Sequence, residues 1–166
     1  MSIRRLLPRP AGLPVNLVVT TVNTVFTDKR SRGEDSGQVP VRILIVDDHD
    51  IVRQGVRVLL RSRAEWEVCG EAEDGIDALE KIDQLKPDLV VLDVSMPYKD
   101  GLAVATELSR TRVPVKSVVL TMHNSAEMAA AVKRSGAKGF VVKSHAARDL
   151  LRAIDTILEG GVFFSE

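Results

Sequence analysis

An α/β fold is predicted for this chain, a doubly wound five-stranded parallel sheet flanked by five helices. Three observations carry that expectation. Residues 43–46, 89–92, 118–120 and 140–142 are uninterrupted apolar runs, the pattern of strands buried on both faces. Stretches with apolar residues at helical spacing separate them, and such alternation calls for right-handed crossovers and a parallel sheet. Each run also ends on a group with chemistry to offer: Asp47 and Asp48, Asp93, Thr121 and Lys143.

The elements follow in order. After the first strand, Val52, Val56, Leu59 and Leu60 recur at the spacing of a helix with one buried face. Residues 66–72 read as a shorter, more polar strand, which suits a sheet edge. Ile76, Leu79, Ile82 and Leu85 mark a second helix, which must stop before Pro87. A third helix carries Leu102, Ala105 and Leu108. Asn124 with Glu127 has the spacing of a capping box and opens a fourth helix running to about Arg134. Ala147, Leu150, Leu151, Ile154, Ile157 and Leu158 give the clearest helical stripe of the chain.

Residues 1–40 differ in kind. They hold Pro8, Pro10, Pro14 and Pro40, and six basic residues against three acids, in a chain whose net charge is zero. Residues 41–166 therefore carry −3, which argues against nucleic-acid contact through them. Arg4 and Arg5 ahead of an apolar stretch resemble the start of a secretory signal, but Asn16 and Asn23 dilute it and no small-x-small cleavage site follows. A flexible or loosely attached N-terminal extension is expected, with a candidate strand over 15–25, and the last residues, 160–166, read as the start of a linker or tail. Cys69 is the single cysteine, so no internal disulfide is available, and a small buried thiol in a strand is expected. No stretch is long and apolar enough to span a bilayer, and a cytoplasmic setting is expected.

In parallel α/β sheets, function gathers at the carboxyl ends of the strands. A single Asp after a strand is commonly a turn or cap residue. Five polar groups in matching positions on one rim form a pattern that such local roles do not explain. Two carboxylates about 4 Å apart repel by roughly 4 kcal/mol at an effective dielectric near 20. A hard divalent ion such as Mg²⁺, which takes oxygen ligands, offsets that cost among Asp47, Asp48 and Asp93. With Lys143 the formal charges then balance, and a carboxylate beside the ion can act as a nucleophile towards phosphorus.

The pieces ILIVDDHDIVRQG, VVLDVSMPYKDG, VVLTMH and GFVVKS together resemble the receiver domain of two-component response regulators, over residues 41–159. The resemblance implies the flavodoxin-like strand order 2-1-3-4-5. It makes Asp93 the phosphoacceptor, loaded by a sensor histidine kinase, with Mg²⁺ held by Asp47, Asp48, Asp93 and the backbone carbonyl of Ser95. Thr121 would bond one phosphate oxygen and Lys143 another, and Phe140 stands at the position of an aromatic switch. Pro97 and Gly101 shape the loop after the acceptor, while Met122 and His123 tune access of hydrolytic water. The protein would be a signalling switch with self-phosphorylation and autodephosphorylation chemistry only, not an enzyme in the usual sense.

DDHD, VSMP, LTMH and Lys143-Ser144 look like the NarL/FixJ (LuxR-type) subfamily of transcription regulators. Ser144 replaces the proline common elsewhere and is expected to cap the last helix. Tyr98-Lys99 replaces the usual Gly-Met in the acceptor loop. The resemblance implies homodimerisation on phosphorylation, through the face of helix 4, strand 5 and helix 5 or through helices 1 and 5. It also implies DNA contact only through a C-terminal domain that this chain lacks. Two other readings stay open: a receiver-like interaction module that is never phosphorylated, and a Mg²⁺-dependent phosphatase with an aspartyl nucleophile. Phosphatases of the haloacid-dehalogenase type place their motif after strand 1, whereas the candidate nucleophile here ends the strand at 89–92. Dinucleotide binding is poorly supported, since no G-x-G-x-x-G follows the first strand.

Overall fold

The computed structural model of the protein describes residues 39–111 and 114–165. The expected N-terminal extension, with its candidate strand at 15–25, falls outside them apart from Val39 and Pro40, which are exposed and carry no regular structure. From there the elements alternate: β1 (Val41–Val46), α1 (Asp50–Leu60), β2 (Trp66–Ala72), α2 (Gly75–Leu85), β3 (Leu89–Asp93), α3 (Gly101–Arg110), β4 (Lys116–Thr121), α4 (Ala126–Ser135), β5 (Gly139–Val142), α5 (Ala146–Leu158) and β6 (Phe163–Phe164). Every pairing is parallel, in the order β2-β1-β3-β4-β5-β6. The expected order of five strands is present, and a sixth extends it.

The apolar runs work as the period of a strand requires, sending successive side chains to opposite faces. Ile43, Ile45, Leu89, Val91, Val118 and Leu120 pack under α1 and α5, against Val56, Leu150 and Ile154. Leu44, Val46, Val90, Leu92, Val119 and Phe140 pack under α2, α3 and α4, against Ile82, Val104 and Val132. Fully burying one such aliphatic side chain is worth about 1.5–3 kcal/mol, so the two layers fix which face each strand turns where. α4 is the thinnest of the helices in this respect, with Val132 and Ser135 its only fully buried residues. Cys69 is half-buried rather than enclosed, like its neighbours on the edge strand β2, and the β1–β2 register slips beside it, between Ile43 and Leu44.

Local chemistry corrects three expectations at element ends. Ser125, not Asn124, caps α4, accepting from the Met128 N–H at 3.1 Å, and Gly136 closes that helix in the left-handed region at φ +83°. Ser144 does not cap α5. A 3₁₀ turn, Lys143–His145, leads into that helix, and the Ala146 N–H returns to the Lys143 carbonyl, so no side-chain cap is used. Ile76 is exposed on α2, where Gly75, Ala78 and Ile82 face the core instead.

The chain expected to be a tail or linker folds back as β6. The Phe163 N–H donates to the Lys138 carbonyl at 3.0 Å and the Ser165 N–H to the Phe140 carbonyl at 2.8 Å, laying the segment along β5. Phe164 stacks on Phe140 at 6.3 Å between ring centroids, and the Lys133 ammonium lies 4.8 Å from the Phe164 centroid. The Ser165 hydroxyl donates to Asp149 Oδ2 at 2.8 Å, where Arg148 also binds through Nε and a terminal nitrogen.

The hydrogen bond from Arg148 holds the Asp149 carboxyl well below the usual carboxylate range, while burial pushes the other way and the Ser165 hydroxyl adds to the lowering. A depressed carboxylate stabilises the fold fully above its unfolded value, about 3.9, and that contribution is lost as pH falls towards the folded value. Urea titrations of wild type and Asp149→Asn should show a wild-type advantage that is constant from neutral pH to about pH 5 and shrinks below about pH 4.

Candidate functional site

The carboxyl ends of β1, β3, β4 and β5 meet on one rim, as the parallel register dictates: Asp93 pairs with Leu120, and Thr121 with Val142. Asp47 and Asp93 are almost fully buried there, at 2% and 3% exposure, and Thr121 is buried beside them. Asp48 is the outward member of the acidic pair. Lys143 arrives from the first residue after β5, and its ammonium bridges Asp47 Oδ2 at 2.6 Å and Asp93 Oδ1 at 3.0 Å. The structure thus brings together across 96 residues the two acids and the lysine that the sequence singled out.

Electrostatics bind the three groups into one unit. Burial pushes the Asp93 carboxyl above its ordinary value, with the Lys143 hydrogen bond and charge opposing and the Asp47 charge adding to the rise. Burial alone lowers the Lys143 pKa, but the hydrogen bonds to Asp47 and Asp93 and the charges of the two acids together raise the ammonium above its usual value. Lys143 is therefore charged at neutral pH, yet one lysine leaves the rim short of cations against three acids.

That shortfall and the donor chemistry fit a hard divalent cation. Asp47, Asp48 and His49 form the acidic cluster, with ligand atoms within 4.8 Å of one another. His49 was given no role by its sequence, although it adjoins both acids in the DDHD run. Its backbone N–H donates to Asp47 Oδ1 at 2.9 Å, and its ring nitrogen Nδ1 lies 2.8 Å from Asp48 Oδ1. Asp93 joins this cluster through the shared lysine.

The loop after Asp93 is built tightly. The Gly101 N–H returns to the Val94 carbonyl at 3.2 Å, and Asp100 caps α3 by accepting from the Ala103 N–H at 2.7 Å. A Cβ at Gly101 would sit 2.0 Å from the Asp93 carbonyl oxygen, so only glycine allows the helix to start this close to the acceptor strand. Ser95, two residues beyond Asp93, is exposed on this loop. Tyr98 takes φ +64° with its side chain almost fully in solvent, a backbone conformation that favours the glycine the receiver pattern has there.

Thr121 is the last residue of β4, and Phe140 lies inside β5. The Thr121 hydroxyl oxygen accepts from the His123 N–H at 3.1 Å, which leaves its own proton to donate elsewhere. Phe140 is buried, two residues before Val142, and faces Phe164. Met122 is exposed and, with Val52, Val56, Lys143 and Ala146, lines an apolar groove of about 370 Å³ between α1 and α5.

Two outcomes follow from this geometry. A carboxylate whose folded pKa is raised costs stability when ionised, and the cost vanishes as pH falls below both its folded and unfolded values. With a chelator present, Asp93→Asn should therefore unfold at higher urea than wild type at pH 7, with the gap closing towards pH 4. Tyr98→Gly should gain about 1 kcal/mol by relieving the left-handed backbone, read from the same titrations.

Residues 43–155 match the response regulator receiver domain. The chain is 31% identical over 130 residues to the transcriptional regulatory protein DegU of Brevibacillus brevis, covering 78% of this chain and 55% of that protein. It is 34% identical over 124 residues to the oxygen regulatory protein NreC of Staphylococcus epidermidis, covering 74% and 57%. The chain thus spans little more than half the length of these relatives. Among solved structures, the isolated REC domain of RcsB from Salmonella enterica serovar Typhimurium, in the presence of phosphomimetic BeF₃⁻, superposes with a TM-score of 0.71 at 31% identity, covering 76% of this chain and 94% of that one. A LuxR-family two-component response regulator from Aurantimonas sp. SI85-9A1 gives 0.71 at 33% identity, covering 75% and 89%. The chain belongs to the response regulator receiver domains, in their LuxR-type branch.

Proposed function

We propose that this receiver domain is a phosphorylation-dependent switch with Asp93 as its acceptor. The observation that carries the reading is the Lys143 ammonium, bonded at once to buried Asp47 and buried Asp93 on the rim of the sheet. Asp47, Asp48, Asp93 and the Ser95 carbonyl would hold Mg²⁺, which, when bound, supplies neutralising charge for the phosphoryl oxygens. An Asp93 carboxylate oxygen attacks phosphorus, the phosphorus–nitrogen bond of a phosphohistidine donor on a sensor histidine kinase breaks, and the imidazole nitrogen leaves with the electron pair and takes up a proton. Such transfer depends mainly on positioning and charge, and the protein supplies both. Lys143 is kept cationic by its two acids and can follow a phosphoryl oxygen, and the Thr121 proton is directed to another.

Output follows from what is held least. α4 buries little against the sheet and shares Phe140 and Phe164 with β5 and β6, so the face of α4, β5 and α5 is the part free to respond. Ile51 and Val58, seven residues apart on α1, are both exposed beside the groove that reaches Lys143, and they favour α1 with α5 as the pairing surface of a phosphorylated homodimer. DNA contact is assigned to a C-terminal domain outside this chain, as part of a longer transcription regulator. No helix among the described residues is long and apolar enough to cross a membrane. From its membership of the receiver family we assign the switch to the cytoplasm.

The test is intact mass after incubation with acetyl phosphate, with and without Mg²⁺. Wild type should gain one phosphoryl group only with Mg²⁺, Asp93→Asn should gain none, and Lys143→Met should load about 100-fold more slowly, the scale of losing one preorganised donor at developing charge. Sizing of the same samples should show dimer only where the adduct forms. A wild type with neither adduct nor released phosphate would make the domain a phosphorylation-independent interaction module. Steady phosphate release without adduct would make it a phosphatase.

A further inference from the structure

Arg53 is charged and yet 6% exposed, on the inner face of α1. A guanidinium is tolerated there only with its donors satisfied. One terminal nitrogen donates to the Asp47 backbone carbonyl at 2.8 Å, Nε donates to Glu71 Oε2 at 3.1 Å, and the other terminal nitrogen reaches Asp50 and Glu73, each at 3.2 Å. The Asp47 carbonyl belongs to the peptide that joins Asp47 to Asp48. Holding that carbonyl restrains the backbone from which both carboxylates project. On the opposite side the Asp47 carboxylate is held by Lys143 and by the His49 N–H.

We propose that Arg53 is a positioning residue for the Asp47–Asp48 pair, fixing their shared peptide from behind so that the two carboxylates converge on one cation. The proposal rests on the reading of these acids as the Mg²⁺ ligands. Four acceptors on three segments, α1, the end of β1 and the end of β2 with its following loop, are met by one planar fork. The point charge of a lysine cannot satisfy that arrangement. Arg53 therefore acts through geometry as well as charge. Its neighbour Arg57 supplies the contrast: its bonds among the described residues go to Glu71 and not to the acid peptide.

The experiment is calorimetric titration of Mg²⁺ into wild type, Arg53→Lys, Arg53→Met and Arg57→Met, with a thermal melt of each to establish that it is folded. Both Arg53 variants should bind Mg²⁺ about tenfold or more weakly, the usual cost of losing an outer-shell partner, while Arg57→Met binds as wild type does. Arg53→Lys binding like wild type would overturn the proposal, because charge alone would then suffice. An equal loss in Arg57→Met would overturn it as well, by tracing the effect to Glu71. If Arg53→Met does not fold, Arg53→Lys decides. A wild type silent to Mg²⁺ would instead overturn the reading of the acids and the positioning role with it, so the two failures are distinct.

Discussion

Like charges crowded at the edge of a dry interior repel one another, and much of this molecule is arranged around the cations that hold them. Lys143 bridges Asp47 and Asp93 from the front. Arg53 grips the peptide between Asp47 and Asp48 from behind. The lysine contact spans 96 residues, so the rim exists only once β1, β3, β4 and β5 are aligned in one sheet. Burying an ion pair is seldom a gain in stability by itself, because desolvation offsets the attraction. The rim is better understood as a site kept in readiness at the expense of the fold, with the two aliphatic layers supplying the stability.

The same constraint explains why the loop after Asp93 is so closely built. α3 begins where a side chain at Gly101 would collide with the Asp93 carbonyl, and that closeness fixes the acceptor strand's last residue. Tyr98, at the crest of the loop, accepts a strained backbone in exchange for an exposed ring. Rigidity at the acid and tension a few residues away coexist in one short connection.

Sheet, helices and the five rim groups were legible in the sequence because each depends on a short-range signal. Strand 66–72 shows its polarity, the apolar runs show their length, and the acids and lysine sit at run ends. The misses share a different cause. Arg53 is a charge on a helix face read from its aliphatic stripe, and its burial makes sense only beside Glu71 and Glu73, which the chain supplies later. β6 is two residues long, too short for any period, and is defined by the carbonyls of Lys138 and Phe140. Ser144 and Asn124 were cap candidates by type. The backbone chose a 3₁₀ turn in one case and the next residue, Ser125, in the other.

β6 changes what the flank of the sheet presents to the outside. An uncovered edge strand is a row of unsatisfied backbone donors and acceptors, open to strand addition by any extended peptide. Here Phe163 and Phe164 take the first half of that row, opposite Gly139 and Phe140, and among the described residues Val141 and Val142 pair with β4 alone. Two backbone hydrogen bonds, the ring stack on Phe140, the Lys133 ammonium over Phe164 and the Ser165–Asp149 bond secure the cover. The strand so covered is the one that delivers Lys143 to the rim, so the segment after α5 braces the same strand that completes the site.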